Sequence, residues 1–121
     1  MKRDLSLFLN DIFFYTSIIL DFTIYMDFEV FSNDKKTILA VTRALEIIGE
    51  ASKHIPNDLR KKFPEIEWKN MAGMRNFISH EYFGIDLPLI WNVIIKKLPS
   101  LKEDIQKVII YYKTENNIPL F

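Results

Sequence analysis

Not one of the 121 residues is cysteine. Disulfides and thiolate metal sites are therefore excluded, and the composition fits a reducing compartment. Glycine is scarce at three residues, and proline adds only five. So few breakers leave long periodic runs intact, which favours helices over a many-turned β fold. Neither sign of charge is in excess, because 16 Lys and Arg balance 16 Asp and Glu. A generic nucleic-acid binder carries a basic excess or stripe, so tight RNA binding would need one local site or a partner chain. Long apolar runs are missing too. The longest uncharged stretch near the N-terminus, residues 12–20, falls well short of a membrane span. Asp4, Asn10, Asp11 and Asp21 interrupt that region, and no small-residue cleavage site follows, as a signal peptide would require. The expectation is a soluble, cytoplasmic protein.

What is present is apolar and aromatic. Apolar residues make up 49% of the chain, with ten Phe, five Tyr and two Trp, enough to build the core of one domain spanning residues 1–121. The first helix is predicted over residues 4–26, with Leu5, Phe8, Leu9, Ile12, Tyr15, Ile19, Phe22 and Met26 at helical spacing. Leu7, Phe13, Phe14, Ile18, Ile24 and Tyr25 fall outside that stripe. A homodimer interface is the simplest reason for a second apolar face, and scattered surface aromatics are the alternative. Ser32-Asn33-Asp34 signals the start of a second helix over 34–53, with Ile38, Val41, Leu45, Ile48 and Ala51 as its core stripe. Ile55-Pro56-Asn57 opens a short helical turn that Pro64 stops. A helix over 67–82 follows, with Gly84 placed as its C-terminal cap. Asp86 looks like the N-cap of the last helix, which Pro99 should kink or break into a second segment. Residues 114–121 read as an irregular tail. The expected fold is all-α, a bundle of about five helices.

On a helical wheel with Arg75 at zero, Ser79 lies at about 40°, Asn76 at about 100°, His80 at about 140° and Tyr82 at about −20°. Ala72 and Gly73 fall in or beside the same arc, while Met71, Met74, Phe77 and Ile78 take the opposite one. One face is thus apolar. The other gathers short polar groups, one guanidinium and one imidazole between small residues that let another molecule come close. An arginine fork matches a phosphate, and an imidazole moves protons near neutrality. RNA carries its own nucleophile, the 2′-hydroxyl, so such a set could cleave it without metal. Arg75 and His80 diverge on one helix, and two copies facing each other would let them converge. The same residues also suit a structural role, with His80 bonding inside a helix interface and Arg75 pairing with Glu46 or Glu50.

Arg43, Glu46 and Glu50 fall within about 60° of one another on the second helix. They either line a cleft and orient Arg75 or form a solvated ion-pair stripe. His54 reads as a helix-end imidazole suited to the dipole, and Trp68 and Trp91 as core anchors. No metal-ligating constellation and no phosphate-binding glycine loop is present in the sequence.

Arg75, four residues, His80, Glu81 and Tyr82 together resemble the R-x4-H-x-Y signature of HEPN-domain toxins, specifically the HepT-like ribonucleases. The flanking Met71-Ala72-Gly73-Met74-Arg75-Asn76 and Tyr82-Phe83-Gly84-Ile85-Asp86 are similar to that family as well. So are Leu45-Glu46-Ile47-Ile48-Gly49-Glu50-Ala51 and Phe63-Pro64-Glu65-Ile66-Glu67-Trp68. The likeness runs over about residues 37–101, in order and at the right spacing. It implies an antiparallel HEPN-type helical bundle that is homodimeric and cleaves RNA with no metal and no cofactor. It implies that Arg75 and His80 are catalytic, with Asn76 as a polar helper, beside Ser79, Glu46 and Glu50 as supporting polar groups. It further implies a partner, a minimal nucleotidyltransferase antitoxin that transfers AMP to Tyr82. Phosphate there would sit beside Arg75 and compete for it. The alternative is a non-catalytic subunit that binds this nucleotidyltransferase and serves as its substrate, a reading that zero net charge fits.

Overall fold

The computed structural model describes residues 4–79 and 84–120, with the side chains of residues 75–79 outside that description. Seven helices and no strand occur among the described residues. They are α1 (Leu5–Thr23), α2 (Phe28–Ser32), α3 (Lys35–Lys53), α4 (Asn57–Lys62), α5 (Trp68–Ser79), α6 (Leu87–Lys96) and α7 (Leu98–Glu115). The all-α expectation holds. The number exceeds about five because a short α2 forms that the spacing did not predict, beside the expected short α4 and the expected second segment of the last helix.

Helix starts follow the polar residues that precede them. The Asp4 carboxylate accepts from the Ser6 amide, Asp27 from Val30, Asp34 from Thr37 and Asp86 from Leu89. Each satisfies an amide that the first turn would leave orphaned. The Thr37 amide and hydroxyl both donate to Asp34, which holds that carboxyl below the usual carboxylate range. At the other end of α3, Arg60 supplies the missing donors. Its Nε donates to the Ile55 carbonyl at 2.8 Å and its guanidinium to the Ser52 carbonyl at 2.6 Å. Gly84 has a φ of +124°, a conformation that side chains with a Cβ rarely adopt.

Two boundaries differ from expectation. α1 stops at Thr23 rather than residue 26, because Asp27 caps a new helix after a two-residue turn. The last helix breaks at Lys97, two residues before Pro99. Pro99 sits in the first turn of α7, where its missing N–H is harmless, so it starts a segment rather than kinking one.

α3 is the central element, packed against α1, α2 and α5, while α1 also packs against α7, and α6 joins α7 and α2. The buried residues form one contiguous cluster that includes Leu9, Ile12, Ile19, Phe31, Leu45, Ile48, Ile94, Ile105 and Val108. On α1 the buried stripe is Leu9, Ile12, Thr16, Ile19 and Thr23. Phe22, expected in the core, is instead exposed. Two threonines thus stand in the buried stripe of α1. Thr23 returns its hydroxyl to the Ile19 carbonyl, whereas the Thr16 hydroxyl finds no partner among the described residues. By length and apolarity α1 alone, among the described residues, could cross a membrane, yet it lies packed on two other helices here.

Candidate functional site

α5 is fixed at its start. The Trp68 side chain is buried, and its indole donates to the Phe63 carbonyl at 3.1 Å. Just before it, the Glu67 carboxylate receives Lys97 Nζ at 3.0 Å and the Asn70 amide at 3.2 Å. These donors hold Glu67 below its ordinary value and tie the entry of α5 to the junction of α6 and α7. Met71 is buried and Met74 half-buried against the core, as the wheel requires of that arc. Arg75, Asn76 and Ser79 belong to the later turns of α5, and their side chains lie outside the described part. His80, Glu81 and Tyr82 lie outside the described residues altogether, as does the proposed union of Arg75 and His80.

Glu46 and Glu50 are described, and they occur together. They line a cleft of about 230 Å³ between α1 and α3, with Phe8, Asp11, Arg43, Ile47 and Ala51. Arg43 lies 3.5 Å from the Glu46 carboxylate. Glu50 lies 4.0 Å from Lys53 Nζ and 3.7 Å from His54 Nε2. The Phe8 ring stacks on the imidazole of His54, with centroids 4.2 Å apart. Arg43, Glu46 and Glu50 thus line a cleft and form exposed ion pairs, while the orienting of Arg75 falls on a side chain outside the described part.

The sequence did not single out Phe8 and Asp11, and it took His54 for a helix-end group alone. The signal was there: placing Phe8 on the buried side of α1 brings Asp11, three residues on, to the same edge. What the cleft can do follows from its charge. Carboxylates gathered in this way can orient a cationic side chain or a hydrogen-bond donor. Glu46 and Glu50 thus suit a positioning role rather than direct contact with RNA.

A second cavity, of about 600 Å³, flanks α5 on the side of α6 and α7. Its walls include Leu45, Ile48, Met71, Met74, Ile90 and Leu98, with Asn70 and Asn92 at its edge. Gly73 also lines it, and a Cβ built there would meet nothing within 4 Å. The described chain itself therefore gives no packing reason for a glycine in this helix.

Comparison with known proteins adds a consistent pattern. Residues 13–108 match the sequence model of the HepT-like ribonucleases. A Methanocaldococcus jannaschii protein named as an RNase is 46% identical over 107 residues, covering 88% of this chain and 98% of its own length. Another RNase-named protein of that organism is 44% identical over 119 residues, covering 97% of this chain and 98% of itself. A Thermococcus cleftensis protein assigned as a ribonuclease HepT is 48% identical over 108 residues, covering 89% of this chain and 98% of its own. No solved structure matches.

Proposed function

The chain belongs to the HepT-like ribonuclease family, and on that footing we propose that it is a metal-independent endoribonuclease toxin whose catalytic pair is Arg75 and His80. The observation that supports this reading is the family match itself, whose span, residues 13–108, includes residues 75–82. His80 takes the proton of an RNA 2′-hydroxyl, whose oxygen attacks the adjacent phosphorus. The P–O5′ bond breaks, and the departing oxygen collects a proton from a general acid. Arg75 stabilises the charge that grows on the phosphoryl oxygens, and Asn76 and Ser79 support it. Glu46 and Glu50 orient the guanidinium from the neighbouring helix. The products are a 2′,3′-cyclic phosphate end and a 5′-hydroxyl end, with no cofactor consumed.

Two copies complete the site in this reading. The exposed Leu7 and Phe14 and the half-buried Ile18 lie on one outer strip of α1, adjacent to the cleft wall formed by Phe8 and Asp11. A homodimer along that strip would set a second chain beside the cleft. The protein partner is a minimal nucleotidyltransferase antitoxin that silences the enzyme by transferring AMP to Tyr82, in the cytoplasm.

The test uses purified full-length chain and end-labelled single-stranded RNA in the presence of EDTA. Wild type should cleave, and His80→Ala should lose about 10²–10⁴-fold in rate. Equal cleavage by the two would overturn the assignment. Zero net charge favours a second reading, a non-catalytic subunit that is bound and modified by the nucleotidyltransferase. That reading gains if wild type cleaves nothing while the Arg75→Ala/His80→Ala double variant binds the partner as well as wild type does.

A further inference from the structure

We propose that the corner formed by the end of α1 and by α2 is a docking surface for a basic, apolar-faced segment of a partner protein. The inference does not depend on the nuclease reading. It begins with a segregation of charge that the balanced totals hide. Residues 4–34 contain six carboxylates and no Lys, Arg or His. Within that stretch, residues 21–30 are exposed except for the buried Thr23 and the half-buried Met26. Tyr25 is 95% exposed, Ile24 66% and Phe22 51%, and Phe28 and Val30 are exposed beside them. Asp21, Asp27 and Glu29 are interleaved with these five apolar side chains and are also exposed.

The corner is built rather than frayed. Phe31 is fully buried and pins α2 to the core, with its ring 5.1 Å from that of Trp91. Phe28 reaches the same indole at 6.4 Å. Asp27 caps α2 by accepting from the Val30 amide at 2.9 Å. A fixed backbone presenting exposed aromatic and aliphatic groups is the composition of an interface hot spot. Preorganisation of this kind lowers the ordering cost of binding.

The charge decides the occupant. RNA phosphate and an anionic bilayer surface are both repelled by Asp21, Asp27 and Glu29, which outnumber Lys35, the cation that shares a pocket with Asp27 and Glu29. A two-fold pairing of this corner with its own copy would set Asp21, Asp27 and Glu29 against the same residues. A segment carrying Lys or Arg between apolar side chains answers both components. The apolar groups cover Phe22, Ile24 and Val30, while the cations meet the carboxylates and lie over the faces of Tyr25 and Phe28.

The test uses two short synthetic amphipathic peptides with identical Leu and Phe positions, one with Lys and Arg at the polar positions and the other with Glu. Each is titrated into the full-length protein, with binding read by calorimetry and by backbone and indole N–H resonances. The basic peptide should bind saturably and shift the Trp91 indole signal and the amides of residues 21–30, leaving Trp68 unmoved. Its affinity should fall by at least about tenfold in Ile24→Ser/Tyr25→Ser, with helix content unchanged by circular dichroism. Asp21→Lys/Glu29→Lys, which leaves the Asp27 cap intact, should exchange the preference to the Glu peptide. Equal binding of both peptides, shifts confined to other surfaces, or wild-type affinity in both double variants would overturn the proposal. So would displacement of the Trp91 signal by RNA or by phosphatidylglycerol vesicles. Loss of a wild-type oligomer in Ile24→Ser/Tyr25→Ser, seen by sedimentation, would make a second copy the occupant and overturn it equally.

Discussion

Phe8 lies flat on His54, with the two ring planes 7° from parallel. The contact joins the first turn of α1 to the residue that ends α3, and it closes one side of the carboxylate cleft. Phe8→Ala removes the stack and the part of the α1–α3 seam beneath it. The expected loss is about 2 kcal/mol of folding free energy, read as a lower urea midpoint at unchanged m. His54→Phe keeps the ring contact and should lose far less. Equal losses in the two variants would show that the stack is not what holds this end together.

Thr16 is fully buried, and its hydroxyl has no hydrogen-bond partner among the described residues. Ser17, Thr23, Thr42 and Ser52 all return theirs to the carbonyl four residues earlier. Thr16→Val keeps the shape and removes the unsatisfied polar group. It should stabilise the chain by about 0.5–1 kcal/mol in chemical denaturation. A destabilised Thr16→Val protein would mean that the hydroxyl has a partner in solution.

Gly73 stands inside α5 with open space, among the described residues, where a Cβ would go. Gly73→Ala should therefore stabilise the helix by about 1 kcal/mol, through the lower backbone freedom of alanine in the unfolded chain. Thermal unfolding of the two proteins is enough to check it.

The pair Glu67 and Lys97 gives a pH signature. The folded Glu67 pKa is lowered, first by the hydrogen bond from Lys97 and then by that from Asn70. Its stabilising contribution is therefore present above the ordinary glutamate value of 4.5 and fades as pH falls through the lowered one. Both side chains are half exposed, so Glu67→Gln should cost under about 1 kcal/mol at neutral pH. That difference should shrink as the pH drops below the folded value, and a gap that widens instead would reverse the assigned sign.

In the proposed function, Tyr82 separates catalysis from control. Tyr82→Phe should keep RNA cleavage within a few-fold of wild type while abolishing the AMP-sized mass gain on co-expression with the nucleotidyltransferase. A variant that neither cleaves nor is modified would place the hydroxyl in the reaction itself.

Much of the fold was legible because the helix ends are written in single residues. Asp34 and Asp86 cap where their type and position foretold, since a short carboxylate before a periodic run has one favourable use. Asp27 is the same signal, and it was overlooked because the apolar spacing of α1 runs on through Met26. Periodicity reports which side is apolar, not where the backbone turns. The burial of Thr16 and Thr23 in place of Phe22 was not legible, because only the meeting of α1 with α3 and α7 fixes which edge of a wide apolar face is covered. For the site, spacing identified Glu46 and Glu50 as neighbours, and the structure adds Phe8, Asp11 and His54 around them. Those three come from other elements or from a helix end, which no single-helix wheel can display.

The carboxylate-only stretch of residues 4–34 has a consequence beyond docking. Since the totals balance, the positive excess must reside on the rest of the chain. The chain is neutral in sum but its charge is segregated along the sequence, and a body with separated charge feels a torque in a field even when it feels no net pull. Near a polyanion the corner of Asp21, Asp27 and Glu29 would be turned away before contact. Its rate of productive encounter with RNA should then fall as salt rises, although a count of its charges predicts no dependence at all.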